Sequence, residues 1–154
     1  MDKRLKTIFD ELTRRELIQR IKSLDKQSPA EWGKMNPSQM VRHCIRWDEW
    51  MLGMHSPAYK QAFIGRLFGK MALHRTTRDN KPLDRNVPTS SWLKIKEING
   101  DFEKDINQWV SLVNAYRQYD NPAFIHDFFG KMTRDEIGIL AYKHSDHHLR
   151  QFGA

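Results

Sequence analysis

The chain has 154 residues, the size of one domain, and its 39% hydrophobic and 11% aromatic content suffices for a folded core, which excludes a disordered protein. Its net charge of +7 is spread along the sequence without a basic block, so nucleic-acid binding is not expected to be its main role. With one cysteine, no signal peptide and no apolar run of membrane-spanning length, we expect a single cytoplasmic domain over residues 1–154 with no disulfide and no membrane partner.

The first two predicted helices each follow a capping motif. The sequence TRRE at residues 13–16 has the form of a capping box and precedes an apolar series at helical spacing. The sequence NPSQ at residues 36–39 supplies an N-cap, a proline at the first helical position and a glutamine at the third. A second helix to about Gly53 is predicted from the apolar stripe Met40, Cys44, Trp47, Met51 and Met54.

The middle of the chain predicts one shorter helix and one long loop. Pro57 opens a stretch in which Tyr59, Phe63 and Leu67 recur every four residues. Residues 75–91 are polar and contain two prolines, which predicts a long loop. A short hairpin within residues 75–98 is an alternative interpretation of the same segment.

The last third of the chain predicts two further principal helices. The third begins near Asn99, presents an apolar face and ends at the Asn-Pro pair of residues 121–122. A capping box, TRDE at residues 133–136, opens the last one. Four amphipathic helices with one long connection and a short extra helix predict an all-α fold, a four-helix bundle.

Histidines are concentrated in the last predicted helix, where KHSDHH places His144, His147 and His148 within five residues. At helical periodicity His144 and His148 continue the inward apolar stripe, whereas His147 lies on its edge and Asp146 is expected to face outward. On the second predicted helix, His43 lies at the border of the buried face. Two helices are therefore expected to direct three imidazoles inward.

Two interpretations of His43, His144 and His148 remain open from these residues. A histidine on an apolar face is usually a hydrogen-bonded core residue, but three without a common partner leave ring nitrogens unsatisfied at about 1–3 kcal/mol each. One divalent cation would satisfy all three and keep positions open for water or substrate. Cys44 is interpreted as a small buried hydrophobe, with a ligand or nucleophile role as the alternative.

Four other polar residues are candidates for contacts around such a site. His147 could replace His148 as a ligand or hold a neighbouring group. His126 could lie over the site or anchor its own segment through a hydrogen bond to the backbone. Arg150 and Gln151 could orient an anionic substrate or cap the end of the helix.

Three stretches resemble a bacterial branch of the DinB/YfiT-like superfamily: WGKMNPSQMVRHC, HDFFGKMTRDEIG and KHSDHHLRQFG. The third matches that superfamily's His-x-x-His-His ending followed by Arg and Gln. The resemblance covers about residues 10–153. It implies a four-helix bundle, often a homodimer, that carries a divalent metal on His43, His144 and His148. Zinc, nickel, copper and iron(II) all suit a site made of imidazoles.

The resemblance also implies a possible reaction, because some members of that superfamily transfer low-molecular-weight thiols. The expected function is then a metal-dependent thiol transferase with a small-molecule substrate. A metal-assisted hydrolase is an alternative, but the sequence offers no evident Asp or Glu as its base. A third possibility is a non-enzymatic protein whose metal is structural and whose basic surface binds nucleic acid or a partner.

Overall fold

The computed structural model describes residues 4–154, and every regular element in that range is helical, which confirms the all-α prediction. No helix within residues 4–154 is long and apolar enough to cross a membrane. The predicted alternative of a hairpin within residues 75–98 is wrong, since the only regular element between residues 78 and 101 is a 3₁₀ turn. The helices are α1 Glu11–Lys22, α2 Pro37–Met51, α3 Phe63–Thr77, α4 Phe102–Ala115 and α5 Arg134–Gln151, with 3₁₀ turns at Ser91–Leu93 and Tyr116–Gln118.

The two helices that carry the histidines begin where their capping boxes predict. The Asn36 side chain accepts from the Gln39 backbone N–H at 2.8 Å, and the Gln39 side chain accepts from the Asn36 N–H at 3.0 Å. Thr133 and Glu136 form the same reciprocal pair at the start of α5. Because a cap fixes where a helix begins, these two boxes also fix which side chains α2 and α5 turn inward.

The start of α1 corrects the sequence-based prediction. Asp10 is the N-cap, and its carboxylate accepts from the Thr13 N–H at 3.1 Å and from the Thr13 hydroxyl at 3.0 Å. The predicted capping box at residues 13–16 is therefore wrong, because α1 begins upstream of it. Glu16, the glutamate of the predicted box, forms an ion pair with Lys6 at 2.8 Å instead.

The extra helix and the long loop also differ from their predicted bounds. Helix α3 has 15 residues, as many as α2, and it includes residues 75–77 of the predicted loop. Its buried face consists of Gly65, Gly69, Leu73 and Thr77. Two of those four residues have no side chain, so apolar periodicity could not reveal the full length of this helix.

The packing of the helices brings α2 and α5 side by side. Helix α4 packs against α1 and α2, and α5 packs against α1, α2 and α3. The predicted α2 stripe is buried at Met40, Cys44, Trp47 and Met51, whereas Met54 is exposed. Cys44 is fully buried, as expected of a small hydrophobe, and burial raises the pKa of its thiol well above the usual range.

A buried carboxyl group, Asp48, lies within this core between α2 and α4. It accepts from the Tyr116 hydroxyl at 2.7 Å and from Trp109 Nε1 at 3.0 Å. Burial raises the pKa of Asp48 to about 7, although both hydrogen bonds act in the opposite direction. The folded protein therefore holds a proton on Asp48 up to about pH 7, whereas an unfolded chain releases it near the usual aspartate pKa of 3.8.

The Asp48→Asn variant should gain stability relative to the wild type as the pH rises. Since the folded state binds the extra proton between about pH 4 and about pH 7, Asp48 lowers the free energy of unfolding by about 1.4 kcal/mol per pH unit across that window. Urea denaturation of both proteins from pH 4 to pH 8 would measure this difference. A difference that is independent of pH would contradict the raised pKa.

Candidate metal centre

Helices α2 and α5 bring the three predicted imidazoles together. His43 and His148 are buried and His144 is half-buried, and one ligand atom from each of the three lies within 4.8 Å of the other two. Nε2 of His43 is 3.2 Å from Nε2 of His144. The ring centroids of the three pairs are 4.7 to 5.2 Å apart. Within residues 4–154 this cluster contains imidazoles and no carboxylate.

Two of these imidazoles are held in a defined tautomer by carbonyl oxygens. Nδ1 of His43 donates to the Leu93 carbonyl at 3.1 Å, and Nδ1 of His148 donates to Oε1 of Gln151 at 2.9 Å. The Gln151 amide cannot flip without loss, because its Nε2 donates to the Trp32 carbonyl at 2.8 Å. Nε2 of both histidines therefore carries a lone pair, which is the form that binds a metal.

The third imidazole, His144, lacks such a partner. Its Nδ1 is buried and has no hydrogen-bond partner among residues 4–154, and its ring stacks on Trp47 with centroids 4.1 Å apart and planes within 10°. A hydrogen-bonded core histidine would pair this nitrogen. His144 is thus positioned by ring stacking, and its Nε2 lies 3.2 Å from Nε2 of His43.

The distance between the His43 and His144 nitrogens fits a shared cation. Two nitrogens bound at 2.0–2.1 Å to one tetrahedral zinc ion lie about 3.3 Å apart, close to the 3.2 Å between Nε2 of His43 and Nε2 of His144. Nε2 of His43 is within hydrogen-bond distance of Nε2 of His144, so without an ion it can accept a hydrogen bond from that ring. A divalent ion would instead bind a lone pair from each of the three rings.

Burial keeps the three imidazoles neutral. It lowers the pKa of His43, and it lowers the pKa of His144 and of His148 well below the usual range. The neighbouring imidazoles lower these pKa values further. Because a histidine must be neutral to bind a metal, little proton competition is expected near neutral pH.

A family model described as "Protein of unknown function (DUF1569)" matches residues 3–154. The chain belongs to the DUF1569 family. No curated protein and no solved structure matches it. The matched region includes all three histidines of the cluster and the groups that hold them, so the candidate centre lies inside the DUF1569 domain.

His147 and His126 lie outside the cluster of three histidines. The His147 ring packs edge-on against Trp32 at 5.4 Å and has a hydrogen bond with the Leu83 backbone. Nδ1 of His126 accepts from the backbone N–H groups of Phe128 and Phe129 at 3.1 and 3.2 Å. This confirms the anchoring role for His126, whose pKa is lowered by burial to about 4.

Arg150 and Gln151 make different contacts: Gln151 contacts the cluster of three histidines and Arg150 does not. Nε of Arg150 donates to Asp146 at 2.8 Å, so this guanidinium pairs within α5. Gln151 orients His148. The prediction that Asp146 faces outward is wrong, because Asp146 is buried and also binds Arg20 of α1 at 2.7 Å. Helical periodicity could not show that a neighbouring helix supplies a cation on that side.

Three groups around the centre could not be found from sequence. The carbonyl oxygens of Leu93 and Trp32 are backbone atoms in connecting segments, and the residue type at a position does not predict such a contact. Trp47 was expected as a core aromatic, and its stacking on His144 depends on the approach of α5.

Proposed function

We propose that this DUF1569 chain is a metal-binding protein of the DinB/YfiT type, a four-helix bundle of α1, α2, α4 and α5 with α3 added. In this proposal His43, His144 and His148 hold one divalent transition-metal ion. The observation that carries the proposal is that one ring nitrogen from each of the three histidines lies within 4.8 Å of the other two, while carbonyl oxygens occupy Nδ1 of His43 and of His148. The packing of α4 and α5 on both α1 and α2 supports the bundle.

The ligand atoms limit which ion suits the centre. A site built from neutral imidazoles favours zinc, nickel, copper or iron(II) over magnesium or calcium, which prefer oxygen. Three protein ligands leave coordination positions for an exogenous group. The centre is therefore suited to chemistry on a small molecule as well as to holding the fold.

We assign a metal-dependent thiol transfer to this centre as the reaction class. A bound divalent ion would stabilise a thiolate and so lower the pKa of a thiol substrate. The chain itself contributes the three ligands, the Gln151 and Leu93 carbonyls that orient them, and Trp47, which covers one face of His144. A hydrolase is less well supported, because the cluster within residues 4–154 contains no carboxylate to serve as a base.

Metal titration of the wild-type protein tests the centre directly. Protein stripped with a chelator should bind about one zinc or nickel ion per chain, measured by elemental analysis after dialysis. Cobalt(II) should give the visible absorption of a low-coordinate site. Circular dichroism of the stripped protein should remain helical, because the core around α4 does not depend on the ion. Failure to bind any of these ions would contradict the proposed centre.

The reaction class needs a separate test. Metal-loaded and stripped protein would be incubated with low-molecular-weight thiols and electrophilic acceptors, and loss of free thiol would be measured. Metal-dependent consumption of a thiol supports the transferase. Binding of the ion without consumption of any thiol would overturn the reaction class while the centre stands. Unfolding on removal of the ion would favour a structural metal.

A further inference from the structure

Helix α3 has its large apolar side chains on the outside of the protein. Phe63 is 75% exposed, Leu67 62% and Met71 70%, and Ile64 and Phe68 beside them are at least half exposed. Side chains of this size present on the order of 500 Å² of apolar surface together. The largest apolar patch on a typical soluble monomer covers about 300–600 Å² and is often functional. We call these five residues the α3 face.

The α3 face cannot turn inward. On the opposite side of the helix, Gly65 and Gly69 lie so close to the Phe128 carbonyl that a Cβ atom at either glycine would overlap it. Lys143 of α5 donates from Nζ to the Thr76 carbonyl at 2.6 Å, which fixes the C-terminal end of the helix. The amide of Ala62 donates to the Asp127 carbonyl at 2.7 Å and fixes the other end.

We propose that the α3 face is the contact surface for a second copy of this chain. Phe63, Leu67 and Met71 are spaced four residues apart and form one ridge with Leu67 at its centre. A two-fold axis through Leu67 pairs Phe63 of one copy with Met71 of the other in an antiparallel helix contact. An isologous interface requires such a self-complementary arrangement.

The available area agrees with a dimer. A standard interface buries about 800 Å² on each partner. The α3 face supplies most of that as its apolar centre, and the flanking Lys60, Arg66 and Lys70 form a polar rim. This contact is independent of whether an ion occupies the three-histidine centre.

The effect of salt distinguishes a second copy from an anionic membrane, because α3 is positively charged. The helix carries Arg66, Lys70 and Arg75 and has no carboxylate. Two copies place like charges near one another at the rim, so added salt should strengthen the dimer by screening that repulsion. Salt should instead weaken binding to an anionic lipid surface.

Sedimentation velocity of the full chain tests the dimer. The wild type should sediment as a dimer, more completely at higher salt, and Leu67→Lys should weaken dimerisation about 100-fold or more, because it sets two cations on the axis. Leu12→Lys is the matched control, since Leu12 is 72% exposed on α1 outside the α3 face. It should remain dimeric. Circular dichroism of each variant reports on folding.

Cysteine cross-linking provides a second measurement. Under oxidising conditions Leu67→Cys should form a reducible covalent dimer and Leu12→Cys should not, while Cys44 is fully buried in both. A wild type that stays monomeric at every salt concentration would overturn the proposal. A Leu67→Lys variant that remains dimeric, or a monomer that binds phosphatidylglycerol vesicles in a salt-sensitive manner, would also overturn it.

Discussion

His148→Ala should lose its metal, whereas His147→Ala should keep it. His148 contributes a ring nitrogen to the cluster, and alanine removes one of three ligands, so we expect affinity for zinc to fall more than about 100-fold. His147 is adjacent in sequence but contacts Trp32 and the Leu83 backbone. Competition with a chromophoric chelator would measure both affinities.

The paired substitutions also separate the two possible assignments of the last-helix ligand. Loss of metal in His147→Ala with retention in His148→Ala would show that His147 is the ligand. Equal retention in both variants would show that the ion is held elsewhere. Helical circular dichroism in each variant would exclude unfolding as the cause of lost metal.

Gln151→Leu should weaken metal binding by about 10–100-fold without removing a ligand. The Gln151 carbonyl holds the proton of His148 on Nδ1. Without that acceptor, the proton can move to Nε2 and block the nitrogen that faces the cluster. The cobalt(II) absorption of the variant should change together with its affinity, because the orientation of one ligand changes.

Gln151→Glu is the matched control for this effect. A carboxylate retains an acceptor for Nδ1 of His148 but loses the N–H that donates to the Trp32 carbonyl. Affinity close to that of the wild type would assign the effect to the contact with His148. An equal loss in both variants would assign it to the link with Trp32, and unchanged affinity in Gln151→Leu would contradict an orienting role.

The sequence predicted best those helices whose start is set by a capping motif in the chain itself. Capping boxes at Asn36 and Thr133 fixed the registers of α2 and α5, and helical periodicity then selected His43, His144 and His148 as the inward imidazoles. The structure brings these three together, while their binding of a metal stays a prediction.

The remaining features depend on contacts between distant segments or on local patterns that differ from the usual ones. Asp146 is buried because Arg20, 126 residues away, pairs with it. The length of α3 escaped prediction because its glycines face inward and its large apolar residues face outward, the reverse of the usual pattern. The true start of α1 differs from the predicted one because Asp10 and Thr13, three residues apart, are both residue types that cap helices.

The carbonyls that hold His43 and His148 connect the centre to parts of the chain outside the principal helices. Leu93 belongs to the 3₁₀ turn before α4, and the amide of Gln151 is held by Trp32 in the segment between α1 and α2. Substitutions in those connecting segments can therefore alter the donor strength of individual ligands while the helical framework stays the same. Related chains could in this way differ in ion preference or reactivity with an identical set of ligating residues.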